Sequence, residues 1–75
     1  APELGTFSDF KEFIEGEDKV TIVMFKAKWC RACQNMKVFM KRYSKKYGDD
    51  IAFGGVDYNY NPGTCRNQGV KSLPY

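Results

Sequence analysis

The sequence predicts an α/β fold in a single domain, a βαβ core with flanking helices, and three stretches carry that reading. Val20-Thr-Ile-Val-Met-Phe25 is β-branched and nearly all apolar, as expected for a strand buried on both faces of a parallel sheet. From about Cys30 to Tyr47, apolar residues recur at steps of three and four (Ala32, Met36, Phe39, Met40, Tyr43, Tyr47), the stripe of an amphipathic helix. Ile51-Ala-Phe-Gly-Gly-Val56 then offers a second strand. Strand, long helix and strand make a crossover unit, which is right-handed in nearly all known cases.

The remaining elements follow in order. Ala1 to Gly5 has no period and reads as a loose lead-in or the remnant of a first strand. Phe7, Phe10, Phe13 and Ile14 lie at helical spacing among polar residues, so a short amphipathic helix is expected, ending near Gly16. Thr6 or Ser8 can cap its start, and Asp9 suits its first turn. Glu17-Asp18-Lys19 is a polar connector. Gly48 is the expected left-handed residue after the long helix. Gly54-Gly55 weakens the second strand and permits close backbone approach. Asn61 before Pro62 looks like an N-cap with Pro at the first helical position, opening a short helix that carries Cys65 and ends at Gly69. Val70 to Pro74 leads back toward the sheet. There is no internal repeat and no linker.

At 75 residues the chain is short for a domain, since about 60 residues bury only about 60% of their unfolded surface. Six Phe, five Tyr and one Trp supply core material. A mean hydropathy of -0.55, without a long apolar run, excludes a transmembrane helix. The net charge is +3, and Lys37, Lys41, Arg42, Lys45 and Lys46 gather on the long helix. They read as a solvated face rather than a nucleic-acid site, because no aromatic platform is interleaved with them. The chain starts with Ala and stops at Leu73-Pro74-Tyr75 without a helix-ending signal, so residues 1–75 are expected to be part of a longer sequence. Three cysteines, an odd number, do not suggest a secreted disulfide framework; a reducing compartment fits better.

The chemistry concentrates at Trp29-Cys30-Arg31-Ala32-Cys33. Cys-x-x-Cys after a strand and at the start of a helix reads as a redox dithiol. A Cys30 thiolate would lie at the first helical turn, where unpaired N–H groups and the positive end of the helix dipole stabilise negative charge. Cys30 is therefore the expected nucleophile. Cys33, one turn on, is placed to attack a mixed disulfide. Zinc wants four Cys, His or carboxylate ligands, and the chain has no His and only one further Cys. Cys65 reads as a small buried hydrophobe, with a secondary redox thiol as the alternative. Lys26 and Lys28 flank the motif, and Met24, Met36 and Met40 read as core filler.

With Trp29-Cys30-Arg31-Ala32-Cys33 after a strand and Val70-Lys71-Ser72-Leu73-Pro74 about forty residues later, the chain resembles the thioredoxin family from about Phe7 to Tyr75. Cys65 and the ending Leu73-Pro74-Tyr75 are similar to the atypical Cys-rich plastid type. The resemblance implies a thioredoxin-like fold whose C-terminal ββα portion is missing here, leaving the outer edge of Val20–Phe25 unpaired, a template for aggregation. It further implies that Pro74 is cis and faces the dithiol, that the backbone of Leu73 receives substrate, and that Trp29 shapes the substrate groove beside Arg31 and Ala32. Three departures matter. Arg31-Ala32 replaces the usual Gly-Pro, and a cation beside Cys30 favours its thiolate. Met24 stands where the family keeps a buried Asp, leaving water, Lys28 or Lys26 to assist Cys33. Val38 stands at the place of the usual kinking proline.

The implied function is thiol-disulfide oxidoreduction on target-protein disulfides through Cys30 and Cys33, without metal or organic cofactor. Electrons come from a thioredoxin reductase-type donor, in a reducing compartment such as cytoplasm or plastid stroma, with no nucleic acid or membrane involved. Two alternatives stand beside it: a thioredoxin-like binding adaptor with little turnover, and an intersubunit metal or Fe–S site held by Cys30 and Cys33.

Overall fold

The computed structural model of the chain describes residues 2–16 and 18–75. The expectations for Ala1 in the lead-in and Glu17 in the connector lie outside the described residues. Five elements follow one another: helix α1 (Phe7–Gly16), strand β1 (Val20–Lys26), helix α2 (Arg31–Tyr47), strand β2 (Ile51–Asp57) and helix α3 (Pro62–Asn67). β1 and β2 pair in parallel, in register from Val20 opposite Ile51 to Lys26 opposite Asp57. On the far side of β2, Glu3 forms a parallel bridge with Gly55. Leu4 N–H donates to the Gly55 carbonyl at 2.8 Å, and Gly55 N–H to that of Pro2 at 3.0 Å. The lead-in thus runs beside β2, joined to it by one parallel bridge.

Alternation along β1 separates two layers. Val23 and Phe25 face a core built with Leu4, Phe10, Val56, Cys65 and Val70, with Phe13 and Leu73 packed against it. This is the layer of α1 and α3. Gly54 belongs here because a Cβ on it would approach the Phe13 ring to 3.0 Å and Leu4 to 3.1 Å. Met24 and Lys26 face the other way, toward Gln34, Lys37, Met40 and Lys41 of α2.

The helix ends show how local sequence fixes the layers. Thr6 caps α1, its Oγ1 accepting the Asp9 N–H at 3.0 Å. α3 ends in a full Schellman pair: Val70 N–H donates to the Cys65 carbonyl at 2.9 Å and Gly69 N–H to that of Arg66 at 3.2 Å, with Gly69 at φ +69°. Gly69, not Gly48, is the left-handed glycine; Gly48 has φ −60° and its carbonyl accepts from Lys19 Nζ at 3.0 Å. Asn61 holds the cap position of α3 without a side-chain capping bond. Its amide instead donates to the Asp57 carbonyl at 3.0 Å, because a buried Asn must satisfy its polar atoms where partners exist.

Two burial expectations are corrected. β1 is covered on both faces only near its end: Met24 and Phe25 are buried, whereas Val20 is 66% exposed and Ile22 is 39% exposed. Among the described residues its outer edge has one partner, Tyr75, which exchanges backbone hydrogen bonds with Phe25 at 2.8 and 3.1 Å, an antiparallel pair. The apolar stripe of α2 is also largely open. Cys33 is the helix's buried residue, while Met36, Phe39 and Tyr43 are exposed. A helix about 10 Å across, laid on two strands about 4.8 Å apart, can bury only the side chains aimed straight down.

Candidate functional site

The site forms where β1 ends and α2 begins. Ala27 leaves the strand and is buried, and its carbonyl accepts the Cys30 N–H at 3.2 Å, which folds Lys28 and Trp29 into a turn. Cys30 is the N-cap of α2, extended at φ −86° and ψ 109°, so the helix begins one residue later than its periodicity suggested. Its Sγ accepts the Cys33 N–H at 3.2 Å, and its carbonyl accepts the Gln34 N–H at 3.2 Å. Cys30 and Cys33 form a disulfide with their Cα atoms 5.2 Å apart. Cys30 retains 7% exposure against 1% for Cys33, so Cys30 is the less buried residue of the pair.

Leu73 packs against Ala27, Cys30 and Cys33, bringing the segment 70–75 onto the disulfide from the far end of the chain. The Leu73–Pro74 peptide bond is cis. Trp29 stands beside the pair with its ring 65% exposed; its indole N–H donates to Asn59 Oδ1 at 3.2 Å, and the Asn59 N–H donates to Asp57 Oδ1 at 2.9 Å. The ring is thus held by the loop after β2. Arg31 and Ala32 are exposed in the first turn of α2. The structure therefore gathers Trp29, Cys30, Arg31, Ala32, Cys33 and Leu73 at one end of the sheet, while Pro74 lines a shallow pocket with Ile22, Met24, Met36 and Met40.

The departure at Met24 has a structural counterpart. Met24 is buried and pairs across the sheet with Gly55, so neither strand brings a charged side chain to that level. Lys26 fills the room: a Cβ on Gly55 would lie 3.0 Å from Lys26 Cε, and Lys26 Nζ pairs with Glu3 Oε1 at 2.7 Å. Sequence reasoning missed Glu3, Gln34 and Asn59. Gln34 Nε2 donates to the carbonyls of Ala27 at 3.4 Å and Lys28 at 3.2 Å, tying α2 to the turn before Cys30.

Cys65 lies in the main core, 1% exposed. Burial, and secondarily the negative charge of Asp57, push its thiol above the ordinary value. The unfolded chain therefore releases this proton at lower pH than the folded one, and stability falls as pH rises past about 8.5. Cys65→Ala is expected to flatten part of that alkaline decline, read as unfolding free energy against pH; an identical slope in both proteins would show that Cys65 does not contribute.

Among the described residues no three His, Cys, Asp or Glu side chains converge as a metal cage, and no helix is long and apolar enough to cross a membrane. Residues 3–75 match the family model described as Thioredoxin. The chain belongs to the thioredoxin family. Its relatives include Thioredoxin Y, chloroplastic, of Oryza sativa subsp. japonica, 33% identical over 69 residues, which covers 92% of this chain and 41% of that protein. The chain thus spans less than half of that relative. Among solved structures, Fasciola hepatica thioredoxin superposes with a TM-score of 0.91 at 25% identity, covering 99% of this chain and 71% of that one. Reduced Schistosoma mansoni thioredoxin pre-protein gives 0.87 at 28% identity, covering 97% and 69%. A thioredoxin-like fold with its Cys-x-x-Cys pair in disulfide geometry is thereby established.

Proposed function

We propose that the chain is a thiol-disulfide oxidoreductase acting on protein disulfides. One observation carries this: Cys30, the less buried residue of the pair, has its Sγ both bonded to Cys33 and accepting the Cys33 N–H at the start of α2. The same N–H stabilises a Cys30 thiolate in the reduced protein. That thiolate attacks one sulfur of a target disulfide, forming a mixed disulfide and expelling the other target sulfur as a thiolate. Cys33 then loses its proton to solvent and attacks Cys30 Sγ, releasing the second target thiol and closing the Cys30–Cys33 bond. Two electrons pass to the target, and a thioredoxin reductase-type donor restores the dithiol. The cycle needs no metal or organic cofactor.

Substrate lies across Trp29, Arg31 and Ala32 on one side and the Leu73–Pro74 segment on the other, with the Leu73 backbone as its partner. A reducing compartment, cytoplasm or plastid stroma, suits a working dithiol, and the chloroplastic relative supports the second. The direct test is acceleration of insulin disulfide reduction by dithiothreitol. The full chain is expected to accelerate it catalytically; binding of protein partners without acceleration would favour an adaptor.

A further inference from the structure

Charge is segregated along this chain in a way the dithiol does not require. Residues 1–18 hold six carboxylates and one cation, Lys11, whereas residues 19–48 hold nine cations and no carboxylate. Of these, Asp9, Glu12 and Glu15 lie on α1, over the Val23 and Phe25 face of the sheet. Arg31, Lys37, Lys41, Arg42, Lys45 and Lys46 lie on α2, over the Met24 and Lys26 face, which Glu3 also reaches to pair with Lys26. One face of the molecule is therefore a source of positive field.

That face contains a groove of about 480 Å³ between α2 and the strands. Met24 and Gly55 form its floor, and Val38 and Met40 add apolar wall. Lys37 and Lys41, one helical turn apart, stand over it. The charge of Lys26 is answered by Glu3 at 2.7 Å, but among the described residues no carboxylate lies within ion-pair distance of Lys37 or Lys41. The groove is thus apolar below and doubly positive above. It begins at Gln34, next to Cys33, and reaches Lys41, about 10 Å along a helix rising about 1.5 Å per residue. About four residues of extended chain cover that distance.

We propose that this groove binds an acidic amphipathic peptide segment of a protein partner. An apolar side chain enters over Met24, between Val38 and Met40, and two carboxylates meet Lys37 and Lys41. A polypeptide fits better than a nucleic acid, whose phosphates would leave the apolar floor unfilled. The binding does not depend on the redox reading, because no cysteine takes part.

A labelled, cysteine-free peptide of alternating Leu and Glu, titrated with the full chain by fluorescence anisotropy, tests this. Lys37→Glu/Lys41→Glu is expected to weaken binding at least tenfold, and Arg42→Glu/Lys46→Glu, whose cations lie over Phe39 and Tyr47, less than threefold. Affinity should fall with salt. Circular dichroism of both variants should match the parent, since exposed lysines carry little of the fold. Equal losses in the two variants would reduce the groove to general charge attraction and overturn the proposal, as would unchanged binding in the first variant or tighter binding of a single-stranded oligonucleotide of equal length.

Discussion

Cys30→Ser is expected to lower catalysed insulin reduction by more than about a thousandfold, to the background of the reductant. A hydroxyl in this place is almost wholly protonated at neutral pH and is a poor nucleophile toward sulfur, so the Cys33 N–H that supports a thiolate has nothing to stabilise. The fold should survive, because the backbone bonds from Cys30 to Ala27 and Gln34 do not involve sulfur, and serine is itself a favoured N-cap. Stopped turnover with an unchanged circular dichroism spectrum is the expected combination. Retained activity would move the chemistry away from Cys30.

Phe25→Ala is expected to have the largest effect on stability. Phe25 is buried, its ring lies 6.0 Å from Phe10 and 6.1 Å from Tyr75, and its backbone is where segment 70–75 joins the sheet. Truncating a buried Phe costs about 3–5 kcal/mol, whereas 75 residues at typical values are stabilised by about 4–11 kcal/mol in all. The variant should therefore be marginal or unfolded at 37 °C, seen as a large fall in the urea midpoint of the full chain. Trp29→Ala offers the contrast: its ring is mostly exposed, so stability should change little. A Phe25→Ala midpoint close to the parent's would show that the core does not depend on this ring.

Local patterns made the fold readable. β-branched runs, a helical stripe, Thr6, Pro62 and Gly16 mark element limits because each acts on its own backbone, and Trp29 to Cys33 marks the site because a strand and a helix start enclose it. Failures occur where distant residues decide. Met36, Phe39 and Tyr43 have the spacing of a buried stripe, yet burial depends on how wide a sheet lies beneath. Asn61 has cap chemistry, yet the carbonyl of Asp57 claims its amide. Lys26 with Glu3 and Trp29 with Asn59 are separated by 23 and 30 positions, and no spacing rule connects them. The role of Gln34 is hidden differently: on a helix it is an ordinary polar residue until the turn before Cys30 brings two carbonyls to its amide.

The ordering of the two sulfurs, Cys30 first and Cys33 second, is the claim on which the rest stands. Mixing reduced Cys33→Ser full chain with a disulfide-bonded model peptide and mapping the product by intact and tryptic mass spectrometry tests it directly. A stable one-to-one adduct on Cys30, with Cys65 unmodified in its buried site, is the expected result. An adduct on Cys65, or no adduct while the reduced parent is oxidised by the same peptide, would contradict it.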